Sequence, residues 1–281
     1  MQRNGDIVYF LLGVGFTSTR ELGNFILRSP VLRSSTPADL NANCVHRCEL
    51  NSRVVAVVKS PDIGSAQERA RNRQYFVDHA AQFLRERPQS PHVFLFAVRY
   101  NERVSAEDME MVQFLKTILG ENVLRDHTLV VLTGGGDFER DHHDTGQQTI
   151  LGWINRQPCE NLRQLVAECG GRVQLFGDRS RFEDGLRNQM DQLLRSTDRL
   201  SQATGGRGYT REEFDRAAST RLRNILNFML ENEGASSQQI TQKDTAPTDG
   251  EPPVNISTTK GTLGEGPSGE ERQCMVTYHG L

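Results

Sequence analysis

Three stretches of the chain carry residue types and spacings that could do chemistry. The first is Gly13-Val14-Gly15-Phe16-Thr17-Ser18-Thr19-Arg20, a glycine-containing loop between an apolar run and a helical segment. Glycines let backbone N–H groups come close to an anion, and a helix start adds unpaired donors and the positive end of its dipole. The second is Lys59, directly after the apolar run 54–58. With Gly13 and Arg20 it would form a metal-free anion site. The third is Thr133-Gly134-Gly135-Gly136, followed at once by Asp137, again after an apolar run.

Other clusters read as structure. Cys44, His46 and Cys48 are metal-ligand types, but no second cluster stands at a zinc-compatible spacing, so the segment reads as a loop or strand edge. Asp141, His142, His143 and Asp144 read as a solvated loop with helix-capping acids. Ser180, the histidines and the acids form no ordered triad. Trp153 and Ile154 read as packing residues. Cys274 has too many residues after it for a terminal prenylation box.

The candidate residues need elements to hold them. Residues 7–12, 54–58, 92–98, 129–132 and 173–176 are apolar throughout, as in strands buried on both faces. Helical periodicity falls between them. One helix begins near Thr19; a second follows a capping box at Ser65 and Glu68; a third opens at Ser105 with Asp108 and stops at Gly120. Residues 160–169 and 182–199 are also helical. Strands alternating with helices predict a doubly wound, mostly parallel sheet, whose ligands sit beyond the carboxyl ends of its strands. After Gly205-Gly206 one more helix starts at Arg211, with Phe214, Ala218, Leu222, Ile225 and Met229 as its apolar stripe. From about Glu233 the composition is too polar to bury a core.

The order of these elements, with Gly13, Gly23-Asn24 and Ile26-Leu27 around the first loop, resembles the immunity-associated GTPases (the GIMAP family). Pro91-His92 and residues 103–108 resemble the segment before the family's third helix. Leu162 to Gly171, with Arg172 and Phe176, resembles its helix-to-last-strand junction. Gly205-Gly206 with Tyr209-Thr210, Glu213-Phe214 and Ala217 resembles its C-terminal extension. The resemblance spans roughly 6–220. It implies an α/β, P-loop NTPase-like fold: an AIG-type G domain over 6–200, a C-terminal helical extension over 201–232 and a disordered tail over 233–281.

The resemblance also implies a GTP or GDP site, and the chain departs from the family at each contact. The family's first loop is G-x-x-x-x-G-K-S, whose lysine faces phosphate and whose serine binds Mg²⁺. Here Ser18, Thr19 and Arg20 stand for the last glycine, the lysine and the serine. Lys59-Ser60-Pro61-Asp62 stands where the family has D-T-P-G, and Thr133-Gly134-Gly135-Gly136 where it has T-R-K-D. The switch threonine aligns with Val45. The expectation is a pseudo-GTPase that acts as a binding or scaffold module, with Mg²⁺ disfavoured. The alternative is a switch that keeps nucleotide through residues 13–20, Lys59, Thr133 and Asp137. The family also implies homo- or hetero-dimers formed through the G domain with family members.

Composition narrows the rest. The net charge is −3 over 281 residues, with no basic concentration of the kind that nucleic-acid binding requires. No apolar stretch approaches the roughly 20 residues that cross a bilayer. The polar residues 1–6 lack a signal-peptide pattern, and five cysteines do not suggest a disulfide framework. The expected location is cytoplasmic.

Overall fold

In the computed structural model, β1 (Ile7–Gly13) lies inside a six-stranded sheet of order β2-β3-β1-β4-β5-β6. The structure describes residues 7–13, 16–32, 45–60, 69–86, 92–142, 149–177 and 183–241. In chain order the remaining elements are α1 (Phe16–Leu27), β2 (Val45–Leu50), β3 (Arg53–Lys59), α2 (Arg69–Glu86), β4 (His92–Arg99), α3 (Ala106–Leu119), α4 (Val123–His127), β5 (Thr128–Thr133), α5 (Gly135–His142), α6 (Ile150–Arg156), α7 (Glu160–Glu168), β6 (Val173–Leu175), α8 (Glu183–Ala203) and α9 (Arg211–Thr241). β1 pairs in parallel with β3 and β4, and β4 with β5 and β5 with β6 continue the parallel set. Only β2 among the described strands is antiparallel. The doubly wound, mostly parallel sheet expected from the sequence is the sheet observed.

The strand's period of two divides the core. Val8, Phe10 and Leu12 face one layer, with Phe76, Phe83, Val112, Leu115 and Leu165 from α2, α3 and α7. Ile7, Tyr9 and Leu11 face the other, with Leu22 and Ile26 of α1 and Met190, Leu193 and Leu194 of α8. The Tyr9 hydroxyl lies 2.9 Å from Thr197 Oγ1 in that second layer, which satisfies a phenol that burial would otherwise strand. Trp153 and Ile154 belong to the first core, as their packing reading expected.

Local signals set several boundaries. Ser105 and Asp108 form the expected capping box on α3, and Gly120 ends it at φ +102°. Two elements differ from the sequence expectation, and a third resolves an alternative that it left open. α1 begins at Phe16 rather than near Thr19, so part of the expected loop is helical. Residues 45–50 form a full edge strand, because pairing with β3 decides a segment that has weak periodicity of its own. Gly135 to His142 is a helix, α5, where glycines and acids had suggested loop. The capping residues Ser65 and Glu68 lie outside the described residues, as do residues 242–281 of the expected tail.

Residues Met1–Glu231 form one compact unit, and Asn232–Leu281 a second. α9 crosses that boundary and runs to Thr241, past the 232 limit read from the sequence. Its base is held firmly. Tyr209 is 1% exposed, stacks edge-on against Phe94, and donates its hydroxyl to the Leu119 carbonyl at 3.0 Å. Thr210 and Glu213 cap the helix reciprocally, at 2.7 and 3.3 Å. Glu213 also meets the buried His127 at 3.1 Å. Partial burial pushes the Glu213 carboxyl up, but the His127 and Thr210 contacts outweigh it and hold the group below the ordinary glutamate range.

A depressed carboxyl stabilises the fold above its unfolded pKa, and the stabilisation is lost as pH falls through the folded value. Glu213→Gln is therefore expected to lower unfolding free energy at neutral pH. The gap from the wild type should close below about pH 4.5. Urea unfolding at a series of pH values measures it, and a pH-independent gap would refute the assignment.

Candidate functional site

The parallel strands end on one side of the sheet, and residues following those ends converge on a cleft of about 740 Å³. α1 supplies Arg20 and Asn24 one turn apart, with Glu21 and Phe25 beside them, and Arg28 follows in the turn after the helix at φ +52°. Arg99 comes from the end of β4. Thr133, Gly134, Gly136 and Asp137 come from the β5–α5 junction, and Phe176 and Gly177 follow β6. Phe25 meets Phe176 edge-on at 4.9 Å between ring centroids, giving the cleft an apolar floor.

Charges in the cleft are partly matched. Arg99 Nη1 lies 2.7 Å from Glu21 Oε1, which ties β4 to α1. Arg140 Nη2 lies 2.8 Å from Asp137 Oδ1. Both carboxylates therefore already have cationic partners. Arg20 and Arg28 have no ion pair among the described residues, so the lining carries surplus positive charge. The Thr133 hydroxyl is unusual. Thr133 is 3% exposed, and its Oγ1 is buried with no hydrogen-bond partner. A buried hydroxyl left this way costs about 1–3 kcal/mol, so a ligand acceptor or donor at that point would relieve it.

The glycine run has a local cause. Gly134 adopts φ +82°. The Gly135 amide donates to the Phe176 carbonyl at 2.9 Å, and the Gly136 amide to the Gly177 carbonyl at 2.5 Å. A Cβ on Gly135 would stand 2.6 Å from the Gly177 oxygen. The backbone of the β5–α5 junction is thus pressed against the chain leaving β6, and the first donors of α5 are used by protein.

At the other end of the site, Gly13 closes β1. A Cβ there would lie 2.6 Å from Thr19 Cγ2 and 2.7 Å from the Ala97 oxygen. Ser18 and Thr19 are buried at 1% and 6% exposure. The Ser18 hydroxyl donates to the Ala97 carbonyl at 3.4 Å. Lys59 is half-buried at the end of β3, in register with Leu11. Val14 and Gly15 lie outside the described residues, as do the side chains of Phe16 and Thr17. The structure thus gathers Arg20, Thr133 and Asp137 into one cleft, and sets Gly13, Ser18, Thr19 and Lys59 outside its lining.

Sequence reasoning missed Arg28, Arg99, Glu21 and Phe176. The i, i+4 pair of Arg20 and Asn24 on α1, with Arg28 just past its end, was the available signal. Arg99 carried one too, as the residue ending an apolar strand. Cys48 and His46, with metal-ligand character in sequence, sit in β2. Burial pushes the Cys48 thiol up despite the nearby Arg28 charge, away from thiolate chemistry. Among the described residues no group of three or more His, Cys, Asp or Glu side chains is placed to hold a metal ion.

The model of the AIG1 family matches residues 11–226, from the end of β1 to about the middle of α9. The chain belongs to the AIG1 family. Among AIG1-type relatives, immune-associated nucleotide-binding protein 10 of Arabidopsis thaliana is 34% identical over 119 residues, 42% of this chain and 24% of that protein. Immune-associated nucleotide-binding protein 8 of Arabidopsis thaliana is 22% identical over 222 residues, 78% of this chain and 60% of that protein. GTPase IMAP family member 8 of Homo sapiens is 23% identical over 238 residues, 83% of this chain and 33% of that protein. The chain spans less than two thirds of each of these relatives. Among solved structures, Toc33 from Arabidopsis thaliana in complex with Mg²⁺ and GMPPNP superposes with a TM-score of 0.46. It is 16% identical, covering 70% of this chain and 85% of that one.

The packing at Gly135 leads to a stability expectation. Gly135→Ala should cost about 2 kcal/mol, because the obstacle is backbone oxygen rather than a movable side-chain end. Chemical denaturation reads it, and a neutral substitution would mean that the β5–α5 junction is not closed against β6.

Proposed function

We propose that this AIG1-family chain is a pseudo-GTPase: a G domain that works as a binding or scaffold module, with weak or no GTP hydrolysis. The observation carrying this reading is Thr19. It occupies the place where the resemblance expects the phosphate-binding lysine, it is 6% exposed, and its methyl packs on Gly13. A charge-assisted contact of that kind contributes about 1.5–3 kcal/mol, and threonine supplies none.

Other observations support the same reading. The Ser18 hydroxyl is directed to the Ala97 carbonyl. α1 is helical from Phe16, and only the first four amides of a helix lack partners within it, so that of Arg20 belongs to its own ladder. Lys59 puts a cation where the family places an aspartate for Mg²⁺, and Arg20 cannot ligate a metal. The residues present therefore fit Mg²⁺–triphosphate poorly. On this reading 6–200 is the G domain and 201–232 the extension. G-domain pairing with family members and a cytoplasmic location belong to the same proposal. Among the described residues no helix is long and apolar enough to cross a membrane.

A second reading is favoured by one feature, the cationic cleft with the buried Thr133 hydroxyl. It is a nucleotide-binding switch that holds GTP or GDP without metal, through Arg20, Thr133 and Asp137 rather than through residues 13–19 and Lys59.

Thermal unfolding of the whole chain with about 1 mM GTP or GDP, in Mg²⁺ and in EDTA, separates the readings. No rise in Tm under any condition is expected for the module. A rise that persists in EDTA and disappears in Arg28→Ala supports the switch. A rise that needs both GTP and Mg²⁺, accompanied by phosphate release, overturns the pseudo-GTPase.

A further inference from the structure

The two edges of the sheet differ. β6 spans three residues, and an edge that short discourages pairing with another chain. β2 spans six, and among the described residues no strand pairs with its outer side. Its hairpin with β3 is fixed in place. Asn51 and Ser52, at φ 49° and 61°, form the two-residue turn that suits the twist of the flanking strands. Arg53 donates to both carboxylate oxygens of Asp198 on α8, at 2.8 and 3.0 Å, and Asn51 donates to Asp191 of the same helix.

The ladder decides which backbone groups of β2 are open. The Ser60 amide, continuing β3, donates to the Leu11 carbonyl. Even-numbered residues of β3 therefore turn their backbone groups to β1, and odd-numbered ones to β2. Arg53, Val55 and Val57 hold Leu50, Cys48 and His46, so the N–H and C=O groups of Val45, Arg47 and Glu49 point outward. The side chains of Arg47 and Glu49 are exposed on one face of the sheet, next to Val54 at 40% exposure, so this corner of the sheet is left open. Neither charge has an ion pair among the described residues.

We propose that this edge is a homodimer interface, in which β2 of two copies pair antiparallel about Cys48 and join two sheets into one. A two-fold pairing must set odd-numbered residues against odd-numbered ones, because only those carry outward groups. Centred on Arg47, it sets arginine against arginine; centred on Glu49, glutamate against glutamate. Centred on Cys48, it sets Arg47 of each copy opposite Glu49 of the other, so both charges meet their opposites. Two such pairs and about four backbone hydrogen bonds make a weak contact, with a Kd on the order of 10–100 µM. The proposal goes beyond the pseudo-GTPase reading and is independent of whether the cleft binds nucleotide, because β2 contributes nothing to its lining.

Sedimentation velocity on the full chain from about 1 to 500 µM, with reductant and without nucleotide, tests it. Circular dichroism and melting confirm that each variant is folded, as substitutions at two exposed positions should be. The wild type is expected to show a monomer–dimer equilibrium. Arg47→Glu alone and Glu49→Arg alone should each weaken it by at least about 10-fold, because like charges then stand opposite. Mixing the two variants should restore association, since each supplies the charge that the other lacks. Arg47→Glu with Glu49→Arg in one chain should restore it as well. A wild type that stays monomeric throughout overturns the proposal. So does a dimer indifferent to both substitutions, or a pair of variants that remains monomeric when mixed.

Discussion

Everything in this domain is hung on β1, a strand hydrogen-bonded on both edges and buried on both faces. Its six apolar side chains divide by parity between two cores, so each helical layer needs the other to keep the strand dry. A strand so placed tolerates no polar residue and no slip of register, because moving by one residue would exchange the two cores. The constraint continues to its end. Gly13 passes so close to the Ala97 oxygen and the Thr19 methyl that the chain has no room for a side chain there.

That packing bears directly on the site. In a doubly wound sheet the loop after the first strand is the natural place for an anion. In this chain the residues around it are turned to protein: Ser18 to a β4 carbonyl, Thr19 into the Gly13 contact. Open space lies farther along α1 instead, between Arg20, Arg28 and the β5 and β6 ends. The polar end of the site is thus consolidated by packing, while the end between α1 and β6 remains a cleft with surplus positive charge and an unanswered hydroxyl at Thr133. The same backbone closure that removes two α5 amides from use, Gly135 and Gly136 on Phe176 and Gly177, also shapes that cleft.

The C-terminal helix is buried at its base and exposed along its later turns. Its base is fixed by Tyr209, the Thr210–Glu213 caps and the His127 contact, all satisfied and mostly buried. Beyond Arg221 every residue from 222 to 230 is exposed, apolar and polar alike.

Much of this was legible in residue order. Continuous apolar runs at 7–12, 92–98 and 129–132 can be buried on both faces only in a parallel sheet, and Ser105 with Asp108 caps a helix wherever it stands, because these effects act over a few residues. The departures at Thr19, Arg20 and Lys59 were equally visible, since a side chain's charge and ligating capacity belong to its type. Long-range contacts were not visible. β2 exists because β3 offers it an edge, and the first two glycines of α5 are held by the Phe176 and Gly177 carbonyls. Arg99 and Glu21 are 78 residues apart and meet only through the sheet. The sequence alone determined which atoms are available for chemistry. The tertiary structure decided which of them share a cleft, and that only the first half of the α9 stripe is buried. Burial and convergence depend on residues distant in the chain, which local patterning does not encode.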